Sequence, residues 1–258
     1  MIKGSKKITY RRKKKNSFLK KRWFWDLILI LIFLGSLSWL LFKTPYFEIE
    51  EIEISADPRF KEKIKELSSK ETNFFLFSSE KISHEAKKHF PEIKELKIIK
   101  KFPNKIFIEV KERKEIGLFC MEGKVLDCFL LSSDAVVFSK AEPSEELITF
   151  LKPEDKALPG FGEKIIKQEK FSEILFFLKE ISGIDILVQR VEIFPFEVRI
   201  ITKNNFKIYL SQDANIKNQA VSFINIYQNT ISEEEKHILE YIDLRRLEGG
   251  ERGQVYWK

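Results

Sequence analysis

The chain contains three histidines and two cysteines, the residue types on which metal and thiol chemistry most often depend. His84 and His89 are five residues apart, which places them on different faces of a helix, and no HExxH motif is present. His237 follows three consecutive glutamates, a composition typical of a solvated helix start. The sequence therefore predicts no metal site, and we assign no metal ligand, catalytic residue or cofactor-binding residue.

Nucleotide-binding and nucleophile motifs are also missing from the sequence. It contains no P-loop, no GxGxxG fingerprint and no GxSxG nucleophile elbow. Aspartates and glutamates number 39 and are spread along the chain, so no pair can be singled out for acid–base chemistry. The sequence motifs therefore single out no particular catalytic chemistry and no cofactor.

The positive charge of the chain is concentrated in its first 22 residues. The formal net charge is +7, and residues 1–22 contain eleven Lys or Arg and no Asp or Glu. The rest of the chain carries more acidic than basic side chains and offers no basic excess to a phosphate backbone. This distribution predicts a basic tail and no nucleic-acid binding.

Residues 23–42 form an apolar segment directly after the basic tail. Asp26 is its only charged residue, and twenty residues of helix extend about 30 Å, the thickness of the hydrocarbon core of a bilayer. Trp23, Trp25 and Trp39 lie near its ends, where interfacial aromatic residues are expected. The segment predicts a transmembrane helix with these three tryptophans at the membrane interface.

A cleavable signal peptide and a buried helix of a soluble domain are the alternatives to an uncleaved anchor. A signal peptide has a shorter apolar region followed by small residues, whereas this segment is followed by Lys43-Thr44-Pro45. A buried soluble helix fits less well because apolar residues occupy all faces of the segment. The sequence therefore favours a signal anchor that remains attached.

The basic residues also predict the orientation of this anchor. Eleven precede the segment, and only Lys43, Arg59 and Lys61 occur in the twenty positions after it. The positive-inside rule then places residues 1–22 in the cytoplasm and residues 43–258 outside it. The tail is expected to set this topology, with binding to anionic lipid as an alternative role.

Cys120 and Cys128 lie in the part of the chain that is expected outside the cytoplasm, where disulfides form. A two-residue turn at Glu122-Gly123 would pair Cys120 with Val125. Cys128 would then lie on the opposite face of the sheet. This pairing predicts two small buried thiols and no direct bridge between them.

Hydrophobic periodicity predicts an α+β protein with two folded units after the anchor. Residues 47–113 show one strand, two helices and two strands, the last four at 60–67, 80–89, 93–101 and 105–112. Two helices on one face of a three-stranded sheet would form a small module. Residues 114–258 are strand-rich, with helices expected at 167–182 and 213–229 and irregular structure at 143–162. The chain ends in a strand, a glycine-rich turn and a short strand.

Several segments resemble the FtsQ/DivIB family of cell division proteins. Phe74-Phe75-Leu76-Phe77 before a capped helix resembles the nLf turn of a POTRA domain. The stretch KKFPNKIFIEVKERKEIGLF resembles the family pattern r-x-P-x-x-l-x-i-x-V-x-E-R-x-p-i, and the matching residues are Pro103, Ile108, Val110, Glu112 and Arg113.

Three later segments extend the resemblance to the end of the chain. KVLDCFLLSSDAVVF resembles the pattern yl-D-x-x-G-x-vf, with Ala135 in place of the usual glycine. LPGFGEK resembles lP-x-l/i-x-G, and Tyr241 to Arg245 resemble the terminal y-i/v-D-L-R strand. Together the matches cover residues 20–258 in order.

The resemblance implies a single-pass, non-enzymatic divisome protein in the cell membrane at the division septum. Residues 47–113 would be a POTRA domain that recruits other division proteins. Residues 114–258 would bind the FtsB/FtsL pair and so help to control septal peptidoglycan synthesis.

The family binds FtsB along its final strands, which implies a partner site at the end of this chain. The implied contacts are Tyr241, Ile242, Asp243, Leu244, Arg245, Arg246, Val255, Tyr256 and Trp257. Arg246 stands where some members have an aromatic residue. Independently of the resemblance, a final strand that ends at Lys258 is too short to close a sheet, which predicts an edge open to strand addition.

Two other functional classes remain open at this point. A POTRA protein of an outer-membrane transport system would need a β-barrel or a cleavable signal, and neither is evident in the sequence. A membrane-anchored cell-wall enzyme would need a defined nucleophile or metal set.

Overall fold

The computed structural model describes residues 22–121, 127–153, 159–246 and 256–258. Its first element is helix α1 (Arg22–Lys43), none of whose residues is buried. Of the helices in the described ranges, α1 is the one long and apolar enough to cross a membrane. Trp23, Trp25 and Trp39 are all exposed on it, near its two ends. Their position at a membrane interface remains a prediction.

The first folded unit is a three-stranded sheet covered by two helices on one face. Its elements are β1 (Glu51–Ser55), α2 (Pro58–Ser69), α3 (Ser79–His89), β2 (Ile93–Lys101) and β3 (Lys105–Glu112). The strand order is β1-β3-β2, with β1 parallel and β2 antiparallel to β3. The predicted order of strand, two helices and two strands is confirmed.

Local sequence signals fix the helices of this unit. The Asp57 carboxylate accepts a hydrogen bond from the Arg59 N–H at 2.9 Å at the start of α2, where Pro58 is the first helical residue. Ser78 caps α3 in the same way through the N–H of Lys81. Apolar residues at helical and strand periods then pack between the layers, among them Phe60, Ile64, Ile82, Ile106 and Ile108.

The second folded unit is one mixed sheet with helices on one face. Its elements are β4 (Glu115–Met121), β5 (Asp127–Ser132), β6 (Val137–Ala141), β7 (Thr149–Leu151), α4 (Gln168–Ser182), β8 (Val188–Ile193), β9 (Glu197–Thr202), β10 (Lys207–Ser211), α5 (Ile216–Asn229), α6 (Glu233–Ile238), β11 (Tyr241–Asp243) and β12 (Tyr256–Trp257). The described strands order as β12-β11-β10-β9-β8-β7-β4-β5-β6. Strands β12 and β6 are therefore its edges.

The core of the second unit lies between this sheet and helices α4 and α5. Phe171 and Phe177 of α4 and Phe223 of α5 are fully buried, and the rings of Phe177 and Phe223 are 5.6 Å apart. The core continues to the last strands, where Ile242 and Leu244 are also fully buried. Strand β11 and the residue after it are thus built onto the main core.

Strand β7 lies in the segment that the sequence predicts to be irregular. It is three residues long, and it pairs in parallel with β4 on one side and β8 on the other. Phe150 at its centre is fully buried. This short strand joins the β4–β6 meander to the β8–β12 half of the sheet, so the two halves share one core.

The two cysteines form a disulfide, and the sequence prediction of two unbridged thiols is wrong. Cys120 and Cys128 are directly opposite in the β4–β5 pair, with Cα atoms 4.2 Å apart. The predicted turn at Glu122-Gly123 lies outside the described residues, but the last paired residues are Met121 and Asp127. The connection is therefore 122–126 and longer than predicted. Cys120 therefore pairs with Cys128 and not with Val125. Because the pairing differs from the predicted one by an odd number of residues, Cys128 lies on the same face of the sheet as Cys120.

We expect reduction of this disulfide to lower the melting temperature of the second unit. The bridge closes a sequence separation of 8 residues. For a loop of this length, the loss of unfolded-state entropy stabilises the fold by about 2.5 kcal/mol. This corresponds to about 5–10 °C in Tm for a domain of this size. Calorimetry of the full chain with and without reductant measures the change.

A double Cys120→Ala, Cys128→Ala variant is the matched control for this measurement, because its Tm should not respond to reductant. Alkylation before and after reduction would establish that the bridge had been present and was opened. An unchanged Tm in parent protein with both thiols alkylated would contradict the expectation.

Arg113 connects the two folded units. Its Nε–H donates to the Pro91 carbonyl at 2.8 Å, and its Nη1 group donates to the Asp134 carboxylate. The Ser132 hydroxyl donates to the same carboxylate at 2.7 Å. The side chains of Arg113 and Asp134 are 9% and 17% exposed. Burial alone would raise the pKa of Asp134, but the hydrogen bonds from Arg113 and Ser132 and the Arg113 charge lower it overall.

Candidate partner-binding edge

The last described strand, β12, lies at an edge of the large sheet. It pairs with β11 in antiparallel orientation, Tyr256 opposite Asp243 and Trp257 opposite Ile242. Beyond it, the N–H of Lys258 donates to the Tyr241 carbonyl at 3.3 Å. The Tyr241 N–H in turn donates to the Lys258 carbonyl at 3.2 Å. These bonds set the direction in which each backbone group of β12 points.

Trp257 presents its backbone to the open side of this edge. In an antiparallel pair, the residues of a strand alternate between those bonded to the neighbour and those bonded away from it. Because Lys258 exchanges both bonds with Tyr241, the adjacent Trp257 directs its N–H and C=O away from β11. An edge residue in this orientation is a template for a further strand.

The predicted partner residues differ in what they expose. Ile242 and Leu244 are fully buried in the core, so their side chains support the strand. Tyr241 and Asp243 are half-buried, while Arg245 and Arg246 are exposed. Tyr256 and Trp257 are 43% and 39% exposed. Val255 lies outside the described residues.

Two carboxylates hold Arg245 on the sheet face away from the helices. Asp243 accepts hydrogen bonds from the Arg245 backbone N–H at 3.0 Å and from its Nε and Nη2 groups at 2.9 and 2.6 Å. The Arg245 Nη1 group donates to Glu197 of β9. The hydrogen bond with Asp243, supported by Glu197, raises the pKa of Arg245. Burial alone would raise the pKa of Asp243, but its hydrogen bonds with Arg245 and the Arg245 charge lower it overall.

This ion cluster continues onto an aromatic residue of the neighbouring strand. The guanidinium carbons of Arg245 and Arg199 lie 5.0 and 5.8 Å from the centre of the Tyr209 ring. The rings of Tyr209 and Tyr241 are 6.1 Å apart. Glu197 links the two arginines through ion pairs. The cluster fixes β11 beside β10 and leaves Arg245 with its charge already paired.

Sequence reasoning identified Asp243 and Arg245 but missed Glu197, Arg199 and Tyr209. Glu197 lies 48 residues before Arg245 in the chain. The one available signal was period-2 alternation in strands β9 and β10, which places these polar residues on the same face of the sheet. That alternation does not show which strands are neighbours.

Arg246 is an exposed cation beside the edge strand. Its guanidinium carbon lies 5.8 Å from the centre of the Tyr256 ring. The sequence places Arg252 in the turn before β12, but Arg252 is outside the described residues. A partner strand beside β12 would therefore meet Arg246, Tyr256 and Trp257.

The opposite edge of the sheet, β6, is partly covered by the chain itself. The N–H of Val137 donates to the Glu163 carbonyl at 3.1 Å, and the N–H of Gly162 donates to the Val137 carbonyl at 2.8 Å. Lys140 is exposed farther along β6, and a charged residue disfavours pairing at an edge. The two edges therefore differ, and among the described residues fewer backbone contacts cover β12 than β6.

No group of three or more His, Cys, Asp or Glu side chains able to hold a metal ion occurs among the described residues. The carboxylates of the β11 face are engaged with arginines, and the two cysteines are bonded to each other. The chemistry that this region offers is hydrogen bonding, charge and aromatic contact.

Comparisons with known proteins agree with this architecture. Residues 47–113 match the family model described as "POTRA domain, FtsQ-type", the same range predicted for the first folded unit. Two curated relatives are both described as "Cell division protein DivIB". One, from Clostridium botulinum strain Hall, is 37% identical over 131 residues, or 50% of this chain and 48% of the relative. The other, from Clostridium botulinum strain Loch Maree, is 38% identical over 131 residues, which are again 50% of this chain and 48% of the relative.

The chain spans about half the length of the curated relatives it matches, 48% in each case. The family model and the relatives agree on one family, and the α+β fold with an N-terminal apolar helix, a POTRA unit and a strand-rich unit fits it. Residues 47–113 are therefore similar to the FtsQ-type POTRA domain, and half of the chain is similar to DivIB cell division proteins.

Proposed function

We propose that this protein is a membrane-anchored, non-enzymatic component of the cell division machinery that binds an FtsB/FtsL-type partner by strand addition at β12. The outward-facing backbone of Trp257 at the open sheet edge is the observation that carries this proposal. Main-chain hydrogen bonds to an added strand supply affinity, and the side chains along the edge supply selectivity.

The proposed arrangement assigns each part of the chain a role. Helix α1 spans the cell membrane, residues 1–22 stay in the cytoplasm, and residues 43–258 lie outside it. Residues 47–113 serve recruitment of other division proteins at the septum. Residues 114–258 bind the partner and help to control septal peptidoglycan synthesis.

The exposed side chains at this edge favour an acidic and partly apolar partner strand. Arg246 offers positive charge beside β12, and Trp257 offers the large aromatic surface that often anchors an interface. Arg245 is already paired with Asp243 and Glu197, so we assign it a positioning role for β11. Tyr241 and Asp243 belong to the same supporting group.

We expect Trp257→Pro to weaken partner binding by about tenfold or more. Proline removes the outward N–H but leaves the inward bonds of the β11–β12 pair, a position that edge strands tolerate. A partner carbonyl then loses its donor, at a cost of about 1–3 kcal/mol. Titration of the full chain in detergent micelles with a purified FtsB/FtsL-type pair measures the change in Kd.

Trp257→Phe is the matched control, because it keeps the backbone donor and an aromatic ring. We expect it to retain most of the affinity, and both variants should melt within about 2 °C of the parent because Trp257 is not in the core. Unchanged affinity of Trp257→Pro would refute strand addition at β12. Loss of binding together with a lowered Tm would show that Trp257 serves the fold instead.

A further inference from the structure

Five aromatic side chains form a continuous cluster where α1 meets the first folded unit. The ring of Phe47 lies 5.0 Å from those of Tyr46 and Phe75 and 5.9 Å from that of Phe102. Phe74 extends the contacts, with its ring 5.7 Å from Phe75 and 6.0 Å from Phe102. We call Tyr46, Phe47, Phe74, Phe75 and Phe102 the aromatic cluster.

The outer members of the aromatic cluster are exposed. Phe47 and Phe74 are buried, but Tyr46, Phe75 and Phe102 are 64%, 44% and 65% exposed. Leu76, next to Phe75, is 57% exposed. Single exposed apolar residues are common, but a contiguous patch marks a binding surface for protein or membrane. The cluster is such a patch, and its occupant must be identified from its position.

The chain ties the aromatic cluster to the end of α1. Tyr46 follows Lys43, the last residue of α1, by three positions, so the two lie within about 10 Å even for an extended chain. The Asn73 Nδ2 group donates to the Leu41 carbonyl in the last turn of α1 at 3.1 Å. The Asn73 Oδ1 atom accepts from the Phe75 N–H at 2.9 Å. One side chain therefore links the helix end to the turn that carries Phe75.

The depth of Leu41 places the aromatic cluster at the boundary of a bilayer. The apolar part of α1 is about 30 Å long and matches the hydrocarbon core, so its last turn ends where the headgroups begin. Aromatic rings concentrate at this boundary in membrane proteins. Lys43 ends α1 on the same side, and a lysine there extends its amine towards the headgroups.

The first folded unit supports the aromatic cluster from behind. The Lys100 Nζ group donates to the carbonyls of Phe74 and Phe77, and it lies 5.7 and 5.5 Å from the centres of their rings. These contacts hold the turn around Phe75 against strand β2. The exposed rings are therefore presented on a rigid support.

We propose that the aromatic cluster inserts into the lipid headgroup region of the leaflet where α1 ends. The lipid surface, rather than a second protein, is the occupant because the cluster is continuous with the proposed membrane span. The inference rests on the proposed function, since it requires α1 to be in the bilayer. Its consequence is that α1 and the POTRA unit bind the membrane as one body, with the unit held at a fixed orientation to the surface.

Quenching of a site-specific fluorophore in the full chain tests the insertion. The variants Phe102→Cys and Tyr46→Cys each take the label selectively at the new thiol, since Cys120 and Cys128 are bonded and buried. The labelled protein is reconstituted in phosphatidylcholine–phosphatidylglycerol vesicles, with doxyl groups near the glycerol as lipid quencher and iodide as aqueous quencher. We expect the labels at 102 and 46 to be quenched several-fold more by doxyl lipid than by iodide.

Two further labelled variants make each outcome decisive. Phe196→Cys, at a side chain 73% exposed in the second unit, should be quenched by iodide only, and Leu34→Cys in the middle of α1 by lipid only. If the labels at 102 and 46 are quenched by iodide only, like the label at 196, the aromatic cluster does not insert into the headgroup region. That result would leave the membrane anchor α1 unaffected. Protection of 102 and 46 from both quenchers also overturns it, because protein would then cover the cluster. Iodide quenching at Leu34→Cys would overturn the membrane anchor itself.

Discussion

Replacing Ile108 by aspartate should unfold the POTRA unit. Ile108 is 1% exposed between the sheet and helices α2 and α3, and no Lys or Arg is fully buried among the residues that the structure describes. An unpaired buried carboxylate costs about 4 kcal/mol or more, a large part of the stability of a unit of about 65 residues. Hydrogen exchange of the full chain in micelles should show loss of amide protection in β2 and β3.

The neighbouring position provides a matched control for this substitution. Phe107 lies on the other face of β3, is half-buried, and has the Lys101 amine 3.9 Å from its ring centre. Phe107→Asp places the same charge beside a cation in contact with water, and we expect a cost of about 1 kcal/mol. Val110 shares the inward face with Ile108 but is half-buried, so Val110→Asp should be intermediate. Equal effects at 107 and 108 would contradict the described register.

Local signals were sufficient to predict the POTRA unit. Ser78 caps α3 and Pro91 follows its end, so the predicted helix at 80–89 differs from the observed Ser79–His89 by one residue. The predicted strands at 93–101 and 105–112 agree with β2 and β3. In each case, the information lies within a few residues of the element that it specifies.

The large sheet depends on contacts between distant segments, which periodicity does not encode. Strand β7 has only three residues, too few to show an alternating hydrophobic pattern. It nevertheless pairs with β4 on one side and with β8 on the other. The disulfide was missed because a five-residue connection replaced a two-residue turn, and a change of odd length reverses the face of every later residue. The partner of Arg245 was missed because Glu197 is 48 residues away.

One departure from the family pattern has a structural explanation. Ala135, which stands where the family usually has glycine, has a φ of 64°. This left-handed conformation favours glycine because a Cβ atom approaches the following carbonyl there. Ala135 lies in the turn between β5 and β6, next to Asp134, and is fully buried. The left-handed backbone at position 135 therefore explains the glycine in the family pattern. Asp134, the ion-pair partner of Arg113, lies in the same turn.

Replacing Asp134 by asparagine should destabilise the junction between the two units by about 3–5 kcal/mol at neutral pH, because a buried ion pair loses one partner. Asparagine keeps the shape of the side chain but leaves the charge of Arg113 uncompensated, at a position where that side chain is 9% exposed. The unfolding free energy of the full chain in micelles, measured by denaturant titration, gives the difference.

The exposed ion pair of the adjacent residue is the control for this measurement. Glu112 pairs with Arg59, and their side chains are 41% and 58% exposed, so Glu112→Gln should cost less than about 1 kcal/mol. A double Arg113→Met, Asp134→Leu variant removes both charges and should recover much of the loss, because the desolvation of both ions disappears. Equal losses for Asp134→Asn and Glu112→Gln would show that the Arg113 contact does not hold the units together.

The pH dependence of the difference in unfolding free energy between the native protein and Asp134→Asn identifies ionisation of Asp134 as the cause of that difference. The pKa of Asp134 is lowered in the folded protein, so the native state binds fewer protons than the unfolded state at acidic pH. The stabilisation is therefore complete above the unfolded pKa, about 3.9, and is lost as the pH falls through the folded value below it. Native protein and Asp134→Asn should differ fully at pH 7 and converge once the pH falls below the folded pKa of Asp134, because protonated Asp134 resembles asparagine. A difference that stays constant over this range would assign the loss to packing and not to the charge of Asp134.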